Sequence, residues 1–178
     1  MLLMSLIIAV LALGANGRAG REAGVTRARS WSAVAAQATD DSGSVDDTLF
    51  VLGGIRLDAD SGSVRARLGK PRRRSVSDER EGLGYVFTTW TYPHLEVTFA
   101  DDKVAYVTCS SGDCSLPFGI KLGTTRVEVE RLLGSPITPS AVDRPGVAKY
   151  VGRRTDCGIT IEYVADRVKI LKLWCDYT

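Results

Sequence analysis

The stretch GIRLDADSGSVRARLGKP at residues 54–71 returns as GIKLGTTRVEVERLLGSP at residues 119–136. Seven residues are identical between the two stretches at a constant offset of 65. A second block, LEVTFADDKVAYV at 95–107, is similar to ITIEYVADRVKIL at 159–171 at an offset of 64. Self-similarity at a fixed spacing is the signature of a duplicated structural unit. The sequence therefore predicts two tandem repeats, residues 49–114 and 115–178.

Each repeat is predicted to begin with a short helix. Thr125 and Glu128 have the spacing of a capping box, in which the hydroxyl and the carboxylate satisfy free N–H groups at a helix start. Asp60 is the equivalent N-cap in the first repeat. Gly69 and Gly134 supply the left-handed residue at which a helix ends, and each is followed two positions later by proline.

Strands are predicted to follow each helix. In the first repeat, residues 84–92, 95–100 and 103–109 are rich in β-branched and aromatic types or alternate between apolar and polar types. In the second, a strand at 148–153 precedes a hairpin that turns at Ala165-Asp166. Residues 49–52 fit either a further strand or a helical turn. The predicted fold class is α+β, with two tandem repeats that each pack a short helix on a three-stranded antiparallel sheet.

Strict alternation in the two hairpins predicts which side chains share a face. Val104 and Tyr106 are expected on the apolar face of the first hairpin. In the second, Val168, Ile170 and Trp174 are expected to face Ile159, Ile161 and Tyr163.

The four cysteines, Cys109, Cys114, Cys157 and Cys175, form an even set that allows three pairings. We expect Cys109–Cys114 to close the loop between the repeats and Cys157–Cys175 to join the ends of the second hairpin. Alternation places Cys157 opposite Trp174, so the second disulfide requires a β-bulge, which we expect at Gly158. Zinc binding is the competing interpretation, but the spacings lack paired C-x2-C motifs. No metal site is therefore expected.

An apolar run from Leu2 to Leu13, interrupted only by Ser5, predicts export. It is shorter than the about 20 residues that a membrane span needs, and it has the length of a signal-peptide core. Cleavage is expected after Ala36-Gln37-Ala38, with small residues at 17–20 as the alternative. We assign residues 1–38 to a leader and 39–48 to a flexible linker, and expect a periplasmic or secreted protein without a stable membrane span. The four arginines after the run fit a leader poorly, so a cytoplasmic protein is the alternative.

The charge distribution gives no reason to expect nucleic-acid binding. The formal net charge is +2, but residues 1–38 carry four arginines and one glutamate, which leaves 19 basic and 20 acidic residues for the rest. The one dense basic run contains Arg72, Arg73 and Arg74. It is a candidate contact for an anion such as a lipid headgroup, and a solvated connecting loop is the alternative.

The repeat pattern resembles two families. The order G-I-x-L, V-x-x-x-L-G-x-P and a final hairpin x-V-x-F-x-D-x-x-V is similar to that of the SmpA/OmlA outer-membrane assembly lipoproteins and of the β-lactamase inhibitory protein family, over residues 54–109 and 119–175. The resemblance implies a non-enzymatic protein that binds other proteins. In the inhibitory family the binding elements are a concave sheet surface and a loop between early strands, which would correspond here to Tyr92-Pro93-His94.

Catalytic chemistry is not expected from the residues themselves. The single histidine, His94, follows Pro93 in a predicted turn with no motif that supplies a partner, and nucleotide-loop, serine-hydrolase and zinc-protease motifs are missing from the sequence. Asp101 and Asp102 could bind calcium, but aspartate is also a common turn residue. We therefore expect no enzyme and no cofactor.

The aromatic residues of the first strand are the strongest candidates for a binding surface. In the predicted strand 84–92, Trp90 and Tyr92 lie on one face, and Tyr85 and Phe87 lie on the opposite face. Because one face must pack on the helix, the other pair faces solvent. We expect Trp90, Tyr92 and His94 to contact a protein partner in the cell envelope or outside the cell; packing of these aromatics between the repeats is the alternative. A small-ligand or envelope-lipid binding protein is the second functional hypothesis.

Overall fold

The computed structural model describes residues 43–137 and 146–176. The described part contains two α-helices, α1 (Ser61–Leu68) and α2 (Arg126–Leu133), and two 3-10 turns, Asp47–Leu49 and Pro117–Gly119. It also contains ten strands: β1 (Ser44–Val45), β2 (Val51–Leu52), β3 (Ile55–Arg56), β4 (Arg73–Glu79), β5 (Tyr85–Thr91), β6 (Leu95–Ala100), β7 (Lys103–Cys109), β8 (Val147–Gly152), β9 (Cys157–Val164) and β10 (Arg167–Cys175).

Eight of these strands form one sheet in the order β1-β8-β9-β10-β7-β6-β5-β4. All neighbours are antiparallel except β1 and β8, which are parallel. The short strands β2 and β3 pair with each other as a separate two-stranded sheet.

The predicted fold class is therefore wrong. The last strands of the two halves, β7 and β10, pair directly from Cys109 opposite Leu171 to Tyr106 opposite Trp174. The strands of both halves consequently belong to one mixed sheet of eight strands with two short helices, instead of two three-stranded sheets. A three-stranded sheet has two edges with unpaired backbone groups, and pairing across the join satisfies one edge of each half.

The helix starts and ends agree with the sequence prediction. The Asp60 carboxylate accepts a hydrogen bond from the Ser63 N–H at 2.8 Å, and the Thr125 hydroxyl accepts one from the Glu128 N–H at 3.3 Å. Gly69 and Gly134 follow the helices with φ angles of 78°. Positive φ is strained for residues with a Cβ atom, so glycine is suited to both positions.

Each helix also begins against the turn of a hairpin. The Ser61 N–H donates to the carbonyl of Asp102 at 3.1 Å, and the Arg126 N–H donates to the carbonyl of Asp166 at 2.9 Å. These hairpin carbonyls satisfy N–H groups that a helix start leaves without an intrahelical partner. The turn aspartates thus lie at helix starts.

The core lies on one face of the sheet and is continuous across the join. Five residues follow one another in register across five adjacent strands: Val97 on β6, Val107 on β7, Leu173 on β10, Ile159 on β9 and Tyr150 on β8. All five side chains are fully buried. The hydrogen-bonded join between the halves is therefore also a packed part of the core.

The structure contains disulfides between Cys109 and Cys114 and between Cys157 and Cys175, the pairs expected from the sequence. Cys157 lies directly opposite Cys175 in the β9–β10 pair. The register shift that allows this lies between Val168 and Ile170, so the predicted position of the bulge at Gly158 is wrong.

The predicted leader, its two cleavage sites and residues 39–42 of the predicted linker lie outside the described residues. The rest of the linker, 43–48, is ordered secondary structure in part, since it contains β1 and the start of the first 3-10 turn. Within the described ranges, no helix is long and apolar enough to cross a membrane.

Candidate functional site

The two faces of the sheet differ sharply in burial. On β6, Leu95, Val97 and Phe99 are buried, whereas Glu96 is exposed and Thr98 is half-buried. The same alternation extends over the neighbouring strands, since successive side chains of a strand point to opposite faces. We call the face that carries Glu96 and Thr98 the open face.

Trp90 and Tyr92 do not lie on the open face. The indole of Trp90 packs edge-on against the ring of Phe99, with 4.7 Å between ring centroids. Tyr92 is 8% exposed, and its hydroxyl donates to the carbonyl of Gly69 at 3.3 Å, at the end of α1. The expectation that this pair faces solvent is wrong, because Trp90 and Tyr92 occupy the register positions of β5 that point to the helix layer.

His94 is the one exposed residue of the predicted binding set. It lies in the turn between β5 and β6, and its ring is against Gly112 in the loop closed by the Cys109–Cys114 disulfide. A Cβ atom at Gly112 would overlap the His94 ring, so glycine permits this contact. The contact packs two surface loops together, and the structure brings neither Trp90 nor Tyr92 to the same surface.

Four aromatic side chains do lie on the open face. The Tyr85 and Phe87 rings are 6.3 Å apart between centroids, and Phe87 is 6.3 Å from Tyr106. Tyr106 of β7 is in turn the register partner of Trp174 on β10. Tyr106 is 39% exposed, and the other three are half-buried. We call these four residues the open-face aromatic row; it crosses the join between β7 and β10.

Trp174 is held in place by two neighbours on β9. Its indole N–H donates to the Thr160 hydroxyl at 3.0 Å. Its ring lies over Gly158, where an added Cβ would be 2.5 Å from the indole. A fixed aromatic ring loses little conformational entropy when a partner binds it.

Polar side chains surround the open-face aromatic row. The Thr89 and Thr98 hydroxyls are 2.9 Å apart, between the aromatics of β5 and β7. On β9 and β10, the Lys172 ammonium pairs with the Glu162 carboxylate. Hydroxyls and a charge pair next to partly exposed aromatics give this face both apolar contact area and hydrogen-bonding groups.

The sequence prediction chose the wrong face of β5 and so missed Tyr85 and Phe87, and it missed Tyr106 and Trp174 because strict alternation does not hold in β7 and β10. Each hairpin contains one register shift. The shift between Thr98 and Phe99 of β6 leaves Ala105 of β7 as an extra residue, and the shift between Val168 and Ile170 leaves Lys169 of β10 as an extra residue. Each bulge reverses the faces of the residues that follow it. Tyr106 and Trp174 consequently turn to the open face. The sequence signal was available, since Val107 and Leu173 are apolar at the positions that then become buried.

The remaining predicted residues have other locations. Arg73 and Arg74 begin strand β4, whose side chains are all exposed, and Arg72 precedes it with its N–H bonded to the carbonyl of Thr91. The predicted anion contact is therefore on an edge strand, and the alternative of a solvated connecting loop does not hold for Arg73 and Arg74.

The side chains with shifted pKa values lie at helix starts and in the core. Hydrogen bonds from Ser63 lower the pKa of Asp60, and hydrogen bonds from Thr48 lower that of Asp46. Burial raises the pKa of Tyr92, Tyr150 and Tyr163 above the ordinary value of 10.0. These shifts have structural causes, namely capping and desolvation.

The structure also contains an open cleft of about 380 Å³ beside the Cys157–Cys175 disulfide. Its walls include Asp47, Arg56 and Asp58, together with Phe50. Among the described residues, no group of three or more histidine, cysteine, aspartate or glutamate side chains could hold a metal ion, in this cleft or elsewhere.

No protein-family model and no curated protein matches the sequence. Among solved structures, the chain is similar to a cysteine-rich secretory protein from Staphylococcus aureus, with a TM-score of 0.49, 11% identity and coverage of 67% of this chain and 44% of that one. It is also similar to an extracellular protein containing a SCP domain from Bacillus anthracis (TM-score 0.42, 11% identity, 68% and 44% coverage). A DUF4309 family protein from Bacillus subtilis gives a TM-score of 0.43 with 16% identity, and 69% and 83% coverage. The chain thus spans less than half the length of the first two.

Proposed function

We propose that this chain is an exported, non-enzymatic protein that binds a protein partner through the open face of its sheet. The observation that carries the proposal is the open-face aromatic row, Tyr85, Phe87, Tyr106 and Trp174, whose rings keep contact with solvent. Tyrosine and tryptophan supply large contact areas at protein interfaces and are enriched among the residues that dominate binding energy.

The shape of the face favours a protein over a small molecule. The row runs across β5, β7 and β10 instead of lining a closed cavity, and small-molecule sites are concave and enclose most of the ligand. The surrounding threonines and the Lys172–Glu162 pair resemble the polar rim of a protein interface. The turn that carries His94 lies at the end of β5 and is a secondary contact in this proposal.

Export is supported by the cysteines and the apolar run. All four cysteines are paired, and disulfides persist mainly in oxidising compartments. The run from Leu2 to Leu13 has the length of a signal-peptide core. A periplasmic or secreted location is expected on fractionation of cells that express the full chain, with no free thiol in the exported protein. Intact leader and free thiols in the cytosolic fraction would contradict export.

The binding proposal is tested with variants of the two aromatics at the centre of the row. The full chain, oxidised, serves as bait for envelope extract and culture supernatant, and captured proteins are identified by mass spectrometry. The double variant Phe87→Ser and Tyr106→Ser is expected to lose a partner that the natural chain captures. Val127→Ser, at a 76% exposed position on helix α2 and outside the open face, is the matched control and should retain it.

The stability of each bait decides how the capture is interpreted. Loss of capture with an unchanged unfolding midpoint supports the open face as the binding site. Equal capture by the natural chain and the double variant overturns it, as does equal loss in the control variant. Purified partner and bait then give the dissociation constant, which should rise at least about tenfold in the double variant.

Binding of an anionic ligand or envelope lipid is the second proposal, and it rests on the three consecutive exposed arginines, Arg72 to Arg74. Binding to vesicles that contain anionic lipid should weaken steeply with salt and disappear when the three are changed to glutamate. Equal affinity for neutral vesicles would contradict it.

A further inference from the structure

Strand β4 is a long, exposed edge of the sheet. It spans Arg73–Glu79, pairs along its whole length with β5, and all seven of its side chains are exposed. At its centre is Val76, which is 58% exposed. An edge strand presents unpaired backbone groups that can pair with another chain.

The backbone groups that face this edge can be identified from the hydrogen bonds of β5. The carbonyl of Val86 accepts from the N–H of Asp101, and the N–H of Tyr92 donates to the carbonyl of Leu95. Even-numbered residues of β5 therefore bond to β6, and odd-numbered residues bond to β4. Their register partners on β4 are also odd-numbered, which leaves the N–H and C=O groups of Arg74, Val76 and Asp78 directed to the free edge.

The sequence of β4, Arg-Arg-Ser-Val-Ser-Asp-Glu, is complementary to itself when it is reversed. An antiparallel pairing centred on Val76 places Arg74 opposite Asp78 and Arg73 opposite Glu79. Ser75 is then opposite Ser77, and the two copies of Val76 face each other on the two-fold axis. Opposite charges on directly facing residues stabilise an antiparallel pair, and like charges destabilise it.

The same register also satisfies the backbone. It pairs Arg74 with Asp78 and Val76 with itself, which are the residues whose N–H and C=O groups face the edge. A shift by two residues in one direction would place Arg74 opposite Arg80, and a shift in the other would place Arg74 opposite Val76. Neither shifted register keeps Arg74 opposite Asp78 or Arg73 opposite Glu79.

We infer that two copies of this chain associate through β4 in an antiparallel, two-fold symmetric pair, which joins their sheets into one. Charged residues on an edge strand usually discourage pairing, but here their order makes each strand the complement of a second copy. The interface is isologous, so every contact occurs twice.

The test reverses the charge of one β4 residue at a time, Arg74 or Asp78, in the full chain. Arg74→Asp places aspartate opposite aspartate at both ends of the pair, and Asp78→Arg places arginine opposite arginine. Sedimentation velocity should show the natural chain as a dimer at high concentration, with each single variant raising the dimer dissociation constant by about tenfold or more. A natural chain that stays monomeric at its highest soluble concentration overturns the inference.

Mixing the two single variants is the decisive arm. The Arg74→Asp copy presents an acidic side chain at both positions of the pair, and the Asp78→Arg copy presents a basic side chain at both. Each cross-strand pair between these two copies is again complementary. The mixture should therefore form a heterodimer, and the double variant with both exchanges should dimerise with itself. Arg154→Asp, a charge exchange at an exposed position outside β4, is the control. It should dimerise with itself but form no stable heterodimer with Asp78→Arg, because one arginine pair then stays opposed.

A backbone variant tests the edge independently of charge. Val76→Pro removes an N–H that faces the free edge and none that bonds to β5. It should abolish the dimer while the thermal unfolding of the monomer shows a folded chain. A dimer that survives Val76→Pro, or single variants that dimerise as well as the natural chain, would place the interface elsewhere and overturn the inference.

Discussion

The indole of Trp90 meets the ring of Phe99 edge-on, with ring centroids 4.7 Å apart, on the helix-covered face of the sheet. Edge-to-face aromatic pairs contribute favourable energy beyond the area they bury. Trp90→Ala is therefore expected to lower the free energy of unfolding by about 3 kcal/mol, as large-to-small core substitutions do. Urea unfolding followed by circular dichroism measures the loss. Tyr106→Ala, on the open face, should cost less, and equal losses for the two variants would contradict the assignment of the faces.

The two disulfides are expected to contribute unequally to stability. Cys157–Cys175 has a sequence separation of 18 and Cys109–Cys114 a separation of 5. The chain-entropy estimate is about 3 kcal/mol for the first and about 2 kcal/mol for the second. Paired cysteine-to-alanine variants, unfolded in urea without reductant, test this order. A larger loss for the Cys109 and Cys114 variant would show that the loop packed against His94 matters more than loop closure.

Stability should fall in alkaline solution. Burial raises the pKa of Tyr150 and Tyr163 above the ordinary 10.0, so these hydroxyls stay protonated in the folded chain when the unfolded chain has lost their protons. Their contribution is complete below about pH 10 and is lost as the pH rises further. Urea unfolding at a series of pH values gives the slope of the unfolding free energy against pH. This slope should be shallower for the double variant Tyr150→Phe and Tyr163→Phe. An unchanged slope would exclude these two groups as the cause.

Gly158 should tolerate no side chain. A Cβ there would lie 2.5 Å from the Trp174 indole and 2.6 Å from the backbone carbonyl oxygen of Tyr150. Because a backbone oxygen cannot turn away as a side chain can, Gly158→Ala is expected to cost about 2 kcal/mol. Tryptophan fluorescence and urea unfolding measure the displacement and the loss. Combination with Trp174→Ala relieves the first contact only, so part of the cost should persist; full relief would contradict the role of the Tyr150 carbonyl.

Loss of the N-cap hydroxyl of α2 is expected to lower the free energy of unfolding by a small amount. Thr125→Ala removes the hydroxyl that accepts from the Glu128 N–H, and a loss of about 1 kcal/mol is expected. Thr125→Ser keeps the oxygen and should retain most of the stability in the same urea measurement. Equal losses for alanine and serine would point to the methyl group instead of the cap.

Features with local causes were predictable from the sequence. The helices begin after Asp60 and Thr125 and end before Gly69 and Gly134, because caps and left-handed glycines act on the few residues around them. The bounds of strands β5 to β7 likewise agree closely with the predicted ranges 84–92, 95–100 and 103–109.

Features that depend on distant partners were not predictable in this way. Strand β4 has no apolar face, so only its pairing with β5 makes it a strand. The pairing of β7 with β10 depends on which edges meet, and no local pattern encodes that choice. The extra residues Ala105 and Lys169 reverse the faces of β7 and β10, which is why Tyr106 and Trp174 were not expected on the open face. On β5, alternation alone does not decide which face packs on the helix, and the prediction chose Trp90 and Tyr92 as the exposed pair instead of Tyr85 and Phe87.

The opposite edge of the sheet has a different character from β4. There, β1 is only two residues long, and the carbonyl of Lys149 on β8 already accepts a hydrogen bond from the N–H of Ile137. Within the residues that the structure describes, this edge offers few free backbone groups that could pair with another strand. Among the described strands, β4 is therefore the long edge from which the sheet can be extended. The inferred pairing uses this edge in both copies, so the pair closes on itself instead of adding further copies.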